Sequence, residues 1–224
     1  VHRNQSYRRN LGCMRVGIGE RTKRIMKCIE NWVKGFALFV GATLVCGALY
    51  TAVVTLVAQV AFPYQANGSF VEGSDGNRYS MLVGQSYSDE GHMWGRVQNY
   101  NAETFVGEDG SIRLWAGPSN ISPASEDFES SVAERVAEIR AAHPEHAGEP
   151  VPSDLVTCSG SGFDPHISPA AAEYQVERLA KNTGKSEEEI RAIIRECTDG
   201  PQFGILGDAT VNVLKVNLML DGIL

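Results

Sequence analysis

The feature that most constrains this chain is residues 35–62, GFALFVGATLVCGALYTAVVTLVAQVAF, which contain no charged residue. As a helix this stretch would be about 42 Å long, more than the roughly 30 Å of a bilayer's hydrocarbon core. Pro63 follows it, and Trp32 and Tyr64 flank it where aromatic rings favour the membrane interface. The sequence therefore predicts a retained transmembrane helix. A cleaved signal peptide is the alternative, but its apolar core is typically only about 7–15 residues long.

Charge is distributed unevenly on the two sides of this stretch. Residues 1–34 contain nine lysines and arginines against Glu20 and Glu30, although the whole chain carries a net charge of −7. Because basic residues are retained on the cytoplasmic side, residues 1–34 are predicted to be a cytoplasmic segment and residues 63–224 an extracytoplasmic domain. The acidic composition of that domain argues against a nucleic-acid partner.

Strand patterns in residues 63–224 are short and separated by turn residues. One hairpin is predicted from strands around 69–71 and 79–83, and a second turns at 109–110. Apolar residues alternate with others over 210–220, which predicts a final strand.

Three helices are predicted between these strands. The first has apolar residues at helical spacing, namely Phe128, Val132, Val136 and Ile139. Ser168 and Pro169 are typical of a helix start, and that helix is predicted to end at Gly184. Ser186 and Glu189 have the spacing of a capping box, which begins the next helix. The fold class is therefore α+β, with a single N-terminal transmembrane helix followed by one mixed α/β domain.

The stretch SGSGFDPHIS, residues 159–168, contains residue types that occur in catalytic loops. A hydrolase would use Ser161 as nucleophile and His166 as base, yet the stretch lacks the G-x-S-x-G pattern of a nucleophile elbow. Asp164 and His166 could also ligate a metal ion, but no third or fourth ligand is evident, so no metal site is predicted.

A structural interpretation accounts for more of this stretch. Gly160 and Gly162 permit unusual backbone angles, Asp164 and Pro165 favour a turn, and Ser168 begins a helix. The loop is then a rigid polar connector, and rigid loops make good partner-facing surfaces.

Two further features are left open by the residues. Trp94 and Arg96 in MWGRV are typical of an interface anchor, but a half-buried tryptophan beside a surface arginine fits equally well. Cys158 and Cys197, the cysteines of the outer domain, form either a disulfide or two separate buried thiols.

Several motifs together resemble one protein family. They are FPYQANGS after the apolar stretch, LVGQSY, WGR, SN at 119–120, VPSDLVTCSGSGFDPHISPAAAEYQVERLA, and GILGDATVNVLKVNLMLD near the end. The chain is similar in these motifs to the KdpC family, the C subunits of bacterial potassium-transporting Kdp ATPases.

The resemblance implies a non-catalytic accessory subunit in the cell membrane. Its partners would be a potassium-channel-like subunit, a P-type ATPase subunit and a small fourth subunit. ATP and potassium would be handled by the complex, with no cofactor assigned to this chain directly. The family is described either as a catalytic chaperone that raises ATP affinity, with the glutamine at Gln175 touching nucleotide, or as an outer cap on the channel subunit. The predicted topology favours the cap, because ATP is cytoplasmic.

The resemblance also selects candidate positions for partner contacts. These positions of the family motifs are Gln65, Asn67, Gly68, Gln85, Trp94, Arg96, Ser159, Gly160, Ser161, Gly162, Asp164, Pro165, His166, Ser168 and Gln175.

Overall fold

A computed structural model of the chain describes residues 21, 23, 25–106, 110 and 112–224. The chain divides into two units, Val1–Ala66 and Asn67–Leu224, which are considered separately below.

The first unit is dominated by one long apolar helix, α1 (Ile25–Ala61), which contains an 18-residue stretch of mean hydropathy 2.1. Its length of about 55 Å at 1.5 Å per residue is ample for a bilayer crossing. A wider π-helical segment, Thr43–Leu49, interrupts the regular helix. A single turn, α2 (Pro63–Ala66), follows. The prediction of an N-terminal helix that could span a membrane is confirmed.

The second unit contains three small antiparallel sheets. Their strands are β1 (Phe70–Glu72) with β2 (Arg78–Ser80), β3 (Tyr100–Val106) with β4 (Ile112–Ala116), and β5 (His166–Ile167), β6 (Thr198–Asp199) and β7 (Thr210–Asn212) in the order β5-β7-β6. Both predicted hairpins are therefore confirmed. In the second turn Gly110 has a φ of 77°, whereas Asp109 lies outside the described residues.

Five helices of the second unit are described. They are α3 (Glu126–Ala142), α4 (Pro169–Glu173), α5 (Val176–Thr183), α6 (Glu187–Glu196) and α7 (Val213–Leu220). Ser168 caps α4 by accepting a hydrogen bond from the Ala171 amide. Ser186 and Glu189 form the predicted capping box at the start of α6. These local start signals are reliable in the sequence because capping depends on neighbours in the chain.

The predicted strand over 210–220 is wrong beyond its third residue. The strand β7 ends at Asn212, whose side chain accepts a hydrogen bond from the Lys215 amide and thereby begins α7. This helix is buried on most sides, at Val213, Leu214, Val216, Asn217 and Leu218. An apolar run that is buried all round shows no clear helical period, so the alternation of leucines and valines is misleading.

The predicted single helix ending at Gly184 is divided into α4 and α5. At the break the Gln175 amide bonds to the Ala172 carbonyl, three residues back, and Gln175 leaves ideal helical angles with φ −102° and ψ −4°. Its side chain is held by a distant segment of the chain, which the local sequence does not reveal.

The hydrophobic core forms where α5 packs on α6, α6 on α7, and α4 on β7. Its fully buried side chains include Met93, Leu155, Leu179, Ile190 and Val216. The mixed α/β fold predicted for this part of the chain is confirmed.

Candidate functional site

The connector between the short 3₁₀ turn Ser153–Leu155 and α4 contains the stretch SGSGFDPHIS, residues 159–168. The carbonyl of Gly162 accepts a hydrogen bond from the Asn99 amide at 2.7 Å, and the carbonyl of Phe163 accepts one from Gly84 at 2.7 Å. Two other segments of the domain therefore bind the middle of this connector. We call the connector (residues 157–168) the motif loop.

Gly162 is the most tightly surrounded position of the motif loop. Its φ of 80° lies in the left-handed region, where glycine is favoured. A Cβ atom there would lie 2.6 Å from the Asn99 carbonyl oxygen and 2.6 Å from the Gly117 amide nitrogen. Because those neighbours are backbone atoms, they cannot move aside as a side chain would. At Gly160, two residues earlier, a Cβ atom would have no neighbour within 4 Å.

Asp164 and His166 fix the second half of the motif loop. The Asp164 Oδ1 accepts a hydrogen bond from the His166 amide at 3.0 Å and lies 3.3 Å from His166 Nδ1. His166 Nε2 lies 3.4 Å from the Asn212 Nδ2, which also donates to the Met81 carbonyl at 2.8 Å. This chain of contacts joins the motif loop to β7 and to the segment after β2.

The end of the motif loop is held by a carboxylate. Asp154 Oδ2 accepts a hydrogen bond from the Ser168 amide at 2.6 Å. Partial burial is the largest single influence and acts to raise the pKa of Asp154. The hydrogen bonds from Ser168, together with the charge of Arg96 and a hydrogen bond from Ser153, outweigh burial and lower this pKa below its usual value. The start of α4 is thus held by a charge-assisted hydrogen bond as well as by its own cap.

The two residues of the hydrolase hypothesis are not joined by the fold. Ser161 Oγ lies 3.2 Å from Ser159 Oγ, and His166 contacts Asp164 and Asn212 instead. Within the part of the chain that the structure describes, no hydrogen bond links Ser161 to His166. The arrangement therefore lacks the contact by which a base activates a nucleophile.

A second polar cluster lies inside the core and was missed in the sequence. Gln175 accepts a hydrogen bond from the Trp94 amide at 2.7 Å and donates to the Trp94 carbonyl at 3.0 Å. Asn217 does the same for Met93, at 2.7 and 3.0 Å. Both amides are completely buried. These two side chains pair the backbone N–H and C=O groups of residues 93 and 94, as the backbone of a neighbouring strand would.

Arg178 is the centre of this buried cluster. Its guanidinium donates to the Glu90 carbonyl at 2.6 Å, the His92 carbonyl at 3.0 Å, the Gln175 Oε1 at 2.8 Å and the His143 Nε2 at 2.9 Å. It also lies 4.9 Å from the centre of the Trp94 ring. Burial lowers the pKa of Arg178 to about 10, so the side chain still carries its charge near neutral pH.

The tautomer of His143 follows from its two contacts. Its Nδ1 lies 2.7 Å from the Ile139 carbonyl oxygen, which can only accept, and its Nε2 accepts from Arg178. The ring is therefore neutral, with the proton on Nδ1. Burial lowers the pKa of His143, in agreement with this assignment.

Comparison with known proteins identifies the family. Residues 32–222 match the KdpC family, described as "K+-transporting ATPase, c chain". The chain belongs to the KdpC family. It is 50% identical over 192 residues to a "Potassium-transporting ATPase KdpC subunit" of Clostridium botulinum (strain Eklund 17B / Type B), an alignment covering 85% of this chain and 95% of the relative. A Clostridium perfringens protein of the same description is 48% identical over 200 residues, covering 89% and 99%.

The KdpC motifs fall into buried and accessible positions. The buried ones are Trp94, Gly162, Pro165 and Gln175. The intermediate ones are Gly68, Arg96, Ser159, Asp164, His166 and Ser168. The exposed ones are Gln65, Asn67, Gln85, Gly160 and Ser161. A partner can therefore reach only some of the candidate positions directly.

The interpretation of Trp94 as an interface anchor is wrong. Its side chain is only 4% exposed, and its Nε1 donates to the Asp89 carbonyl at 2.7 Å. The neighbouring Arg96 is half-buried and has longer contacts, 3.5 Å to Thr157 Oγ1 and 3.5 Å to the Cys158 carbonyl. Trp94 is thus a core residue of the KdpC domain.

Cys158 and Cys197 are free thiols, so the disulfide alternative is not supported. The Cys197 Sγ is buried and donates to the Met219 Sδ at 3.4 Å, and burial raises the pKa of this thiol to about 11. Cys158 donates instead to the Ser159 carbonyl at 3.3 Å. Each thiol has its own partner, so the two thiols are separate, but only Cys197 is buried as that alternative predicts, whereas Cys158 is half-buried.

His92 is a further KdpC-domain residue that the sequence did not single out. Its Nδ1 lies 2.7 Å from Asp89 Oδ1, and its Nε2 lies 3.0 Å from Asp221 Oδ1, near the end of the chain. The Tyr87 ring lies against it, with ring centres 5.2 Å apart. Partial burial acts to lower the pKa of His92, but the two carboxylates outweigh burial and raise it.

Replacing His92 by glutamine is expected to destabilise the fold in a pH-dependent way. Because the pKa is raised in the folded state, the ion pairs contribute fully below the unfolded value of 6.5 and are lost as the pH rises through the folded value. We expect a cost of about 1 kcal/mol at acidic pH that declines above neutral pH. Urea unfolding at a series of pH values measures it. Asp221→Asn should show the same trend, and a cost independent of pH would contradict the prediction.

Proposed function

We propose that this chain is the accessory C subunit of a potassium-transporting ATPase complex. In this proposal it carries out no chemistry of its own and supports assembly and potassium-stimulated ATP hydrolysis by the pump subunit. The observation that carries the proposal is the KdpC match over residues 32–222, which covers most of the apolar helix and nearly all of the second unit. The partners would be a channel-like subunit, the P-type ATPase subunit and a small fourth subunit.

The motif loop supports a docking role better than a catalytic one. Its backbone is bound at Gly162 and Phe163, and its side chains Asp164 and His166 are used to hold the loop. A loop that is already rigid loses little conformational entropy on binding, so its contacts contribute efficiently to affinity. Gly160 is exposed and has no side chain, so the loop backbone there is available to a partner.

Any effect of this subunit on ATP affinity would be indirect. Gln175, the position associated with nucleotide contact in the family, is completely buried. Its Oε1 accepts from Trp94 and Arg178, and its Nε2 donates to Trp94 and Ala171. A nucleotide would have to displace these bonds, and each buried group left unpaired costs about 1–3 kcal/mol. Any effect on ATP affinity would therefore arise from contacts between this subunit and the others.

The proposed orientation has the N-terminus in the cytoplasm and the outer unit outside, because basic residues precede α1. Single cysteines at Ser74 and at Ser6 test this arrangement in intact cells treated with an impermeant thiol reagent. We expect Ser74→Cys to be labelled above the level of the unmodified chain, and Ser6→Cys to be labelled no more than the unmodified chain. The reverse pattern would show the opposite orientation.

Replacing Asp164 and His166 together by alanine is expected to weaken the complex. The double variant removes the hydrogen bond that Asp164 accepts within the motif loop and the contact of His166 with Asn212 of β7, each worth about 1 kcal/mol. Since 1.4 kcal/mol corresponds to a factor of ten, we expect about a tenfold loss in co-purification with the pump and channel subunits. Potassium-stimulated ATPase activity of the co-expressed complex should fall in parallel.

Ser161→Ala is the matched control in the same loop. The Ser161 hydroxyl is exposed and its contacts are with neighbouring residues, so assembly and ATPase activity should remain near normal. Full assembly of the Asp164 and His166 double variant would contradict the docking role. Esterase or peptidase activity of the purified chain that is lost in Ser161→Ala would support a hydrolase instead.

A further inference from the structure

An exposed apolar loop joins β6 to β7, which we call the tip loop (residues 201–207). Phe203 is 91% exposed, Ile205 81% and Leu206 57%, the largest exposed fractions among the large apolar side chains described in the second unit. Neighbouring apolar side chains this accessible are uncommon on soluble surfaces and mark interaction sites. The docking role proposed for the motif loop does not involve these three side chains.

The tip loop is ordered by its own backbone. The amides of Gln202 and Leu206 each donate to the other's carbonyl, at 2.8 and 3.0 Å, and Gly204 donates to Pro201 at 3.0 Å. Phe203 has a φ of 55°, a left-handed conformation that is rare for a bulky residue. Backbone strain of this kind is typical of functional positions. The turn therefore presents the Phe203 side chain outward on a fixed support.

Charge distinguishes the two kinds of surface that could cover this loop. Asp199 and Asp208 flank it, both are exposed, and residues 198–209 contain no lysine or arginine. Two carboxylates beside an apolar tip would be repelled by anionic lipid headgroups. They would instead complement an apolar cleft in a protein whose rim is basic. The charge pattern thus favours a protein surface over a lipid surface.

We infer that the tip loop docks into an apolar cleft with a basic rim on another subunit of the potassium-transporting complex. Phe203 and Ile205 enter the cleft, and Asp199 and Asp208 face the basic residues at its edge. This inference rests on the proposed function, since it requires that the chain assemble with other subunits. It assigns a second contact in addition to the motif loop.

The first test compares variants of the full chain co-expressed with the other subunits. The pair Leu206→Ser and Leu82→Ser changes the same residue type at similar exposure, 57% and 54%. We expect Phe203→Ser with Ile205→Ser to reduce co-purification about tenfold or more, Leu206→Ser to reduce it less, and Leu82→Ser to leave it unchanged. Normal co-purification of the tip-loop variants, or an equal loss with Leu82→Ser, would overturn the inference.

The second test identifies what the tip loop touches. A p-benzoylphenylalanine residue in place of Phe203, irradiated in membranes containing the complex, is expected to cross-link to another protein subunit. Mass spectrometry of the adduct then locates the cleft. Adducts with lipid alone would overturn the inference in favour of membrane contact. If the unmodified chain fails to co-purify with any subunit, the proposed function itself is wrong, which is distinct from failure of the tip-loop contact.

Discussion

Replacing Arg178 by alanine is expected to lower the free energy of unfolding of the second unit (Asn67–Leu224) by about 4 kcal/mol or more. The change leaves the buried His143 Nε2 and the part-buried carbonyls of Glu90 and His92 without their Arg178 donor. It also removes one of the two donors to the Gln175 Oε1, which keeps the Trp94 amide. Each unsatisfied buried group costs about 1–3 kcal/mol, and the lost packing on Trp94 adds to this cost. Urea unfolding of the full chain in detergent, followed by circular dichroism, measures the loss.

Arg178→Lys separates the effect of charge from that of geometry. Lysine retains the positive charge but lacks the planar fork whose Nε, Nη1 and Nη2 reach different acceptors here. We expect it to recover little of the lost stability. Arg191→Ala is the matched control, because Arg191 lies on the adjacent helix α6 and forms accessible ion pairs with Glu173 and Glu187. A large loss in the control, or full stability in Arg178→Lys, would contradict the role assigned to the fork.

Gly162→Ala is expected to destabilise the second unit by about 2–4 kcal/mol and, under the proposed function, to weaken assembly with the other subunits. Left-handed φ alone costs a residue with a side chain about 1 kcal/mol. The added Cβ would also overlap with backbone atoms of Asn99 and Gly117, so the motif loop would have to move away from its neighbours. Thermal unfolding and co-purification with the other subunits of the complex measure the two effects.

Two companion variants make the Gly162 prediction specific. Gly160→Ala should change the stability of the chain little, because the space that its Cβ would occupy is open. Gly162→Asn should not restore stability, although asparagine tolerates left-handed angles, since the steric overlap remains. If Gly162→Asn were as stable as the unmodified chain, backbone strain and not crowding would be the cause.

The features that sequence alone determined depend on near neighbours or on solvent. The uncharged run 35–62 predicts an apolar helix because each backbone polar group in a bilayer must be satisfied within the segment. The caps at Ser168 and Ser186 are recognisable because capping involves residues three positions apart. The family motifs likewise identified the KdpC family, since they are read directly from the chain.

The tertiary structure decided which polar residues of those motifs are accessible. Gln175 and Trp94 belong to two of the family motifs, and both were candidate partner contacts. In the structure the side chain of Gln175 bonds to the backbone of Trp94 inside the core. Arg178 was not singled out at all, because an arginine in an amphipathic helix normally faces solvent. Its burial depends on carbonyls from residues 90 and 92, which are distant in the chain.

The conformation of residues 213–220 was also decided by packing. An apolar segment buried on both faces satisfies the pattern of a strand as well as that of a helix, and the local cap at Asn212 was the only signal that separated them. His92 and Asp221 are similarly brought together from opposite ends of the domain. Local conformational preferences and the pattern of apolar residues act along the chain and can be read from it. The burial of a particular residue and its long-range hydrogen bonds exist only after the chain has packed.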